Sequence, residues 1–260
     1  VPEEAQLKHK ILYYPYMRTD IDTENIILLA RLCYNSFSID DLERLLYSNE
    51  PERKADFICD LIRAGHLGAL EHWHTTFAVE GYSRISSQQN DRHRLIKMLR
   101  EPGVNIIIDD GEQGSTDVSQ LQQSQRYVRE DDFRYVVPQS FREHPEYLQR
   151  YIALQDEVKQ MQVDGLRLGL PPEDVRYSLT NATETRFVIT TNARQLRHMF
   201  NLRCCKRAQW EIRTLFDGLL LDYQRIAPNI FWKAGASCVE FGYCPEGKYS
   251  CKVVKMKECH

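Results

Sequence analysis

Thr185-Arg186-Phe187-Val188-Ile189-Thr190-Thr191-Asn192-Ala193-Arg194 is where the chain changes period at a single residue. Residues 185–191 alternate β-branched and aromatic side chains as a strand does. Asn192 can cap a helix, because its side-chain oxygen is able to accept backbone N–H groups of the first turn. From Ala193 to about Ile226 the pattern is helical, with a break expected near residues 204–206.

Working outward, residues 146–164 carry helix-spaced apolar side chains (Leu148, Tyr151, Ile152, Leu154, Val158) and should end near Gly165. Pro171-Pro172-Glu173-Asp174 starts another helix, since proline is tolerated in a first turn and acids suit its positive end; Arg176 follows early on it. Towards the N-terminus, residues 73–79 read as a strand leading into a polar stretch at 83–94. Residues 52–64 read as a helix stopped by Gly65, which puts His66 just past its end. Asp22 can cap a helix whose Ile26, Leu29, Ala30 and Cys33 mark a buried stripe. Residues 104–108 form a short β-prone run between turn signals, which predicts a hairpin or flap. Helices separated by strands with no regular βαβ repeat predict an α+β fold with a mixed or antiparallel sheet and several long helices. At 260 residues, one domain is expected, with an insertion at 95–118 and a cysteine-containing tail at 233–260.

A chain with 42% hydrophobic and 27% charged residues reads as an ordinary folded protein. A net charge of −3 argues against a general nucleic-acid binder, although a local basic pocket remains compatible with it. No apolar run is long enough to span a bilayer, and residues 1–10 are too polar for a signal peptide, so a cytoplasmic protein without membrane partners is expected. Of the eight cysteines, Cys33, Cys59, Cys204 and Cys205 lie in apolar or helical contexts that favour inert thiols. Cys238, Cys244, Cys251 and Cys259 make no Cys-x2-Cys pair, and no metal is expected.

Two motifs carry chemistry. Arg92-His93-Arg94 and the run Ser119-Gln120-Leu121-Gln122-Gln123-Ser124-Gln125-Arg126-Tyr127 offer guanidinium forks, an imidazole and hydroxyls, an inventory suited to a polyanion; alone, either piece also fits a solvated charged face. If residues 193–207 are largely helical, Arg194 and His198 share a face, as do Arg203 and Arg207, and solvent or a bound anion must offset the repulsion. Further blocks are Gly65-His66, Glu71-His72, Arg176, Arg186, Asn192-Ala193-Arg194, Asn201-Leu202-Arg203 and Ala208-Gln209-Trp210-Glu211-Ile212. In this order, from about Ala30 to Trp232, they resemble the flavin-dependent thymidylate synthases. The chain departs from that family in the 24 residues at 95–118, where the family has two, and in Leu67-Gly68-Ala69-Leu70. It departs also at Gln122, where many relatives have Glu, and at His198, where they often have Asn.

The resemblance implies methylation of dUMP to dTMP with FAD as cofactor, NADPH and methylenetetrahydrofolate as co-substrates, and a homotetramer with FAD at subunit interfaces. It assigns Gln89, Arg92, Ser124, Gln125, Arg126, Arg176 and Arg203 to dUMP, and His66, His93, Arg94, Gln122, Asn192, Arg194 and His198 to the flavin side. Arg203 and Ser124 are the catalytic candidates. Arg203 would stabilise charge on the pyrimidine, and Ser124 is read as a phosphate ligand rather than a nucleophile, because no partnering base can be read beside it. No cysteine follows a proline, so the thiol attack on uracil C6 used by the older class of thymidylate synthase is not expected. Two rivals remain: a related flavin enzyme that methylates or hydroxymethylates another pyrimidine nucleotide, and a flavin- or nucleotide-binding protein without catalysis.

Overall fold

The computed structural model describes residues 4–13, 22–48, 51–90, 98–101, 104–107, 118–125 and 132–252. Along the chain run β1 (Lys8–Tyr13), α1 (Ile39–Leu46), α2 (Pro51–Arg63), β2 (His74–Ser83), α3 (Arg84–Asn90), β3 (Met98–Glu101), β4 (Val104–Ile107) and β5 (Val118–Gln122). They are followed by α4 (Gln139–Arg142), α5 (Pro145–Arg167), α6 (Pro172–Val175), β6 (Glu184–Asn192), α7 (Ala193–Arg203), α8 (Trp210–Ile226) and α9 (Ser237–Phe241). The fold is α+β, with an antiparallel sheet in the order β1-β2-β6-β5. A separate antiparallel pair, β3 with β4, sets Met98 opposite Ile107, so the inserted segment contains the expected hairpin; Ile108 lies outside the described residues.

Contacts gather the chain into two compact units, each built from three stretches: Val1–Lys10, Ala78–Arg92 and Gln120–Val188 in the first, Ile11–Phe77, His93–Ser119 and Ile189–His260 in the second. In the first unit, Phe133, Tyr135, Val137 and Val158 form a core that α5 covers with Leu148 and Tyr151. Tyr151 stands edge-on to Tyr135 at 5.8 Å and donates to the Val136 carbonyl at 2.7 Å, so its apolar body and polar tip are both satisfied. The helix does not stop at Gly165. That residue lies inside α5 against Val175, where a Cβ would come within 2.9 Å of a methyl group. The stop comes one turn later, where Gly169 N–H donates to Leu166 and Leu170 N–H to Gly165. Arg176 caps the short α6 and opens a 3-10 turn, Arg176–Ser178. The polar stretch after residue 83 forms helix α3 as far as Asn90.

The second unit is centred on Trp73, Phe200, Phe216, Tyr223 and Phe231, all fully buried. Edge-to-face pairs such as Trp73–Phe231 at 5.5 Å add about 0.5–1.5 kcal/mol each beyond their buried area. Asp22 does cap its helix, accepting from Glu24 N–H at 2.9 Å. The helix Thr23–Cys33 is 3-10, however, and its buried residues are Glu24, Asn25, Ile27 and Leu28, while Cys33 is exposed. With three residues per turn, the i, i+3, i+4, i+7 set no longer lies on one face. Glu24 also draws its own side inward, accepting from Asn229 N–H, Asn229 Nδ2 and Ile230 N–H at 2.7, 2.6 and 2.9 Å.

Candidate functional site

In the first unit, α3 follows β2 without a loop and is anchored at its start by Arg84 N–H to Thr183 and Ile85 N–H to Asn181. Gln122, the last residue of β5, extends its amide nitrogen to Ser87 Oγ on α3 at 2.9 Å and to Thr185 Oγ1 on β6 at 3.0 Å. Its donors therefore tie three elements together. That bridge sets the position of Ser124 and Gln125, which leave the strand half-buried, and of Gln89 on α3. Gln125 Nε2 and both amide atoms of Asn90 are buried without a hydrogen-bond partner among the described residues, as expected beside a ligand's polar groups. Arg176 is half-buried on its own turn, its Nε donating to the Glu173 carbonyl at 3.0 Å.

The frame of this unit rests on a residue that sequence patterns did not single out. Glu184 is nearly buried and takes both arms of Arg134, at 2.6 Å each, together with Gly81 N–H at 2.8 Å. A bidentate charge-assisted pair of this kind is among the stronger polar links.

In the second unit, α2 ends in a Schellman motif: Gly65 N–H donates to Ile62, His66 N–H donates to Leu61, and Gly65 has φ +77°. This turn delivers His66 to the start of the 3-10 segment Leu67–His72, where its Nδ1 meets Tyr34 Oη at 3.0 Å. The segment packs against α7. Asn192 is buried and caps α7, its Oδ1 accepting from Gln195 N–H at 2.9 Å. Arg194 follows in the first turn, where a cation faces the positive end of the helix dipole; Glu71 on the packed segment pairs with it and offsets that cost.

His198, one turn on, is exposed over much of its surface. Desolvation by the protein packed around the ring nevertheless holds its imidazole below the ordinary 6.5, with Glu240 opposing this shift and Arg203 adding a smaller part to it. Arg203 is the last residue of α7 and is half-buried. The expected repeat to Arg207 fails because α7 ends at residue 203; Arg207 lies in the following turn, paired with Glu246 at 2.5 Å and stacked on Tyr249.

The second unit thus brings His66, Asn192, Arg194, His198 and Arg203 onto one helix and the turn against it, and the first brings Gln89, Gln122, Ser124 and Gln125 together, with Arg176 apart. Arg92, His93, Arg94 and Arg126 lie outside the described residues. Tyr34 and Arg134 were missed because their partners lie 32 and 50 residues away, beyond any local pattern.

The family described as thymidylate synthase complementing protein matches residues 17–229. The chain is 40% identical over 232 residues to the flavin-dependent thymidylate synthase of Geobacter sulfurreducens, covering 87% of each. It is 35% identical over 248 residues to the protein of that name from Clostridium tetani, covering 89% of each. With its namesake from Thermococcus onnurineus it shares 36% identity over 192 residues, 71% of this chain and 69% of the other.

Proposed function

The chain belongs to the flavin-dependent thymidylate synthase family and is an enzyme, and from that premise we propose that it converts dUMP to dTMP, with methylenetetrahydrofolate giving the carbon, NADPH the electrons, and FAD as cofactor. The observation that carries the reading is the row His66, Arg194 and His198 on α7 and the segment against it. Arg194 lies in the first turn of an 11-residue helix and His198 one turn further on, His66 leads into the segment packed against that helix, and Glu71 is the carboxylate paired to Arg194. This donor set fits the pyrophosphate of a dinucleotide.

In this reading His66, His93, Arg94, Asn192, Arg194 and His198 serve the flavin side. The chemistry a bound flavin supplies is passage of the NADPH electron pair towards the one-carbon unit. Ser124 and the buried amide nitrogen of Gln125, unpartnered among the described residues, donate to the nucleotide together with Gln89, Arg92, Arg126 and Arg176. Arg203 stabilises negative charge on the uracil carbonyl oxygens as C5 becomes nucleophilic. Gln122 acts by holding β5 to α3 and β6, with its amide donors already engaged. The enzyme works in the cytoplasm as a homotetramer with FAD at subunit interfaces; no helix among the described residues is long and apolar enough to cross a membrane.

The test is a visible spectrum of the purified chain with and without added FAD, then anaerobic NADPH, then tritium release from C5-labelled dUMP. The expected outcome is flavin absorbance, bleaching by NADPH, and release that requires methylenetetrahydrofolate. A chain that neither binds FAD nor releases tritium ends the reading. FAD binding with turnover only on UMP or dCMP replaces dUMP by another pyrimidine nucleotide.

A further inference from the structure

A cavity of about 470 Å³ opens in the second unit where α7 ends, between residues 201–208 and the chain around and after α9. Cys204, Cys205, Cys238, Cys244 and Cys251 all line it, and all are free thiols. Cys204 is set apart, because burial and a hydrogen bond to Asp217 push its thiol far up and leave it unreactive. Of the other four, Cys238 is half-buried, and burial together with the neighbouring thiols of Cys205, Cys244 and Cys251 pushes its own thiol up. Cys251 is exposed. Arg203, Lys206 and Arg207 also line the cavity, and Glu246, the one carboxylate in its lining among the described residues, is tied to Arg207. The exposed Cys251 stands beside a wall carrying Arg203, Lys206 and Arg207, a partly exposed, electropositive setting in which a thiol reacts. Among the described residues no three side chains are arranged to hold a metal ion.

We propose that this cavity is a thiol–disulfide modification site, in which Cys238 closes a disulfide with one of Cys205, Cys244 and Cys251 when the chain meets a small disulfide such as glutathione disulfide. Entry is through the exposed Cys251. Its thiol loses a proton and its sulfur attacks one sulfur of the small disulfide, expelling the other half as a thiolate that takes up the proton. Cys238 then loses its proton and attacks the protein-side sulfur of the mixed disulfide, and the second small thiol leaves protonated. Two cysteines are oxidised by two electrons in all, and one external disulfide is reduced to two thiols. Exchange within the cluster can then pass the bond to Cys205 or Cys244 while Cys238 remains a partner.

The experiment uses the full chain, reduced and desalted, equilibrated with glutathione buffers from reducing to oxidising, quenched with N-ethylmaleimide in denaturant, and read by intact mass and peptide sequencing. Under oxidising conditions two cysteines should escape alkylation, and the linked peptides should contain Cys238. Cys238→Ser, with Cys238→Ala as a second variant should serine disturb folding, should stop at a glutathione adduct; Cys204→Ser should behave as the parent chain. A linkage lacking Cys238 or reaching outside these four cysteines, adducts without any internal disulfide in the parent chain, an unchanged thiol count, or zinc co-purifying and shielding the thiols would each overturn the proposal. No flavin or nucleotide enters the assay, so the result is independent of the proposed activity.

Discussion

Arg194 and Arg197 stand three positions apart on α7 and meet opposite conditions. Arg197 is 3% exposed and is held by the Ile230 and Trp232 carbonyls at 2.7 and 3.1 Å and by Glu240 at 2.5 Å. Arg194 is 44% exposed and pairs with Glu71 at the surface. Breaking a buried pair leaves an uncompensated charge and costs about 3–5 kcal/mol, whereas an exposed pair contributes about 0–1 kcal/mol. Glu240→Ala should therefore lower the urea midpoint strongly and Glu71→Ala hardly at all; equal shifts would contradict this account.

His198 offers a second residue-scale test. With its folded value depressed, the neutral ring is favoured in the fold, and the associated stability is present above the ordinary 6.5 and is lost as pH falls through the folded value. NMR titration of the ring should give a midpoint below 6.5, raised in Arg203→Met by removal of a repelling cation. A midpoint at or above 6.5 would show the direction to be wrong, and one below 6.5 but indifferent to Arg203 would assign the shift to burial alone.

At the scale of elements, two glycines mark two kinds of constraint. Gly65 ends α2 with φ +77°, and a Cβ there would meet nothing within 4 Å. Its replacement by alanine costs only the left-handed backbone, about 1–2 kcal/mol. Gly81 also has positive φ, but its Cβ would lie 1.7 Å from the Gln6 carbonyl oxygen, in backbone that cannot be accommodated by a rotamer change. Gly81→Ala must therefore push the chain leading into β1 away from β2, and its loss of stability in urea should clearly exceed that of Gly65→Ala. The Gly65 stop was legible because a helix end and its Schellman bonds are local. The end of α5 falls at Arg167, near the expected Gly165, but Gly165 itself sits inside the helix because of its close packing on Val175.

At the scale of the whole molecule, the residues assigned to the nucleotide and to the flavin are largely sorted by unit. Gln89, Ser124, Gln125 and Arg176 belong to the first, and His66, Asn192, Arg194 and His198 to the second, with Arg203 and Gln122 the exceptions. Arg176→Ala should then weaken dUMP binding by about ten- to a hundredfold, as loss of a charged hydrogen bond of about 1.5–3 kcal/mol implies, while flavin content is kept. Arg194→Ala should lower flavin content first, measured as FAD absorbance per chain. The reverse pattern would overturn these assignments. The α+β class, the strand-to-helix switch at Asn192, the hairpin in the insertion and the order of the polar blocks were all determined by the sequence by itself, because caps, turn residues and periodicity act over a few neighbours. Which face of residues 23–33 is buried, that Arg134 answers Glu184, that Gln122's amide bridges α3 and β6, and that separate cysteines share one wall were decided only in the tertiary structure. Each depends on partners distant in sequence, whose burial and charge no local pattern encodes.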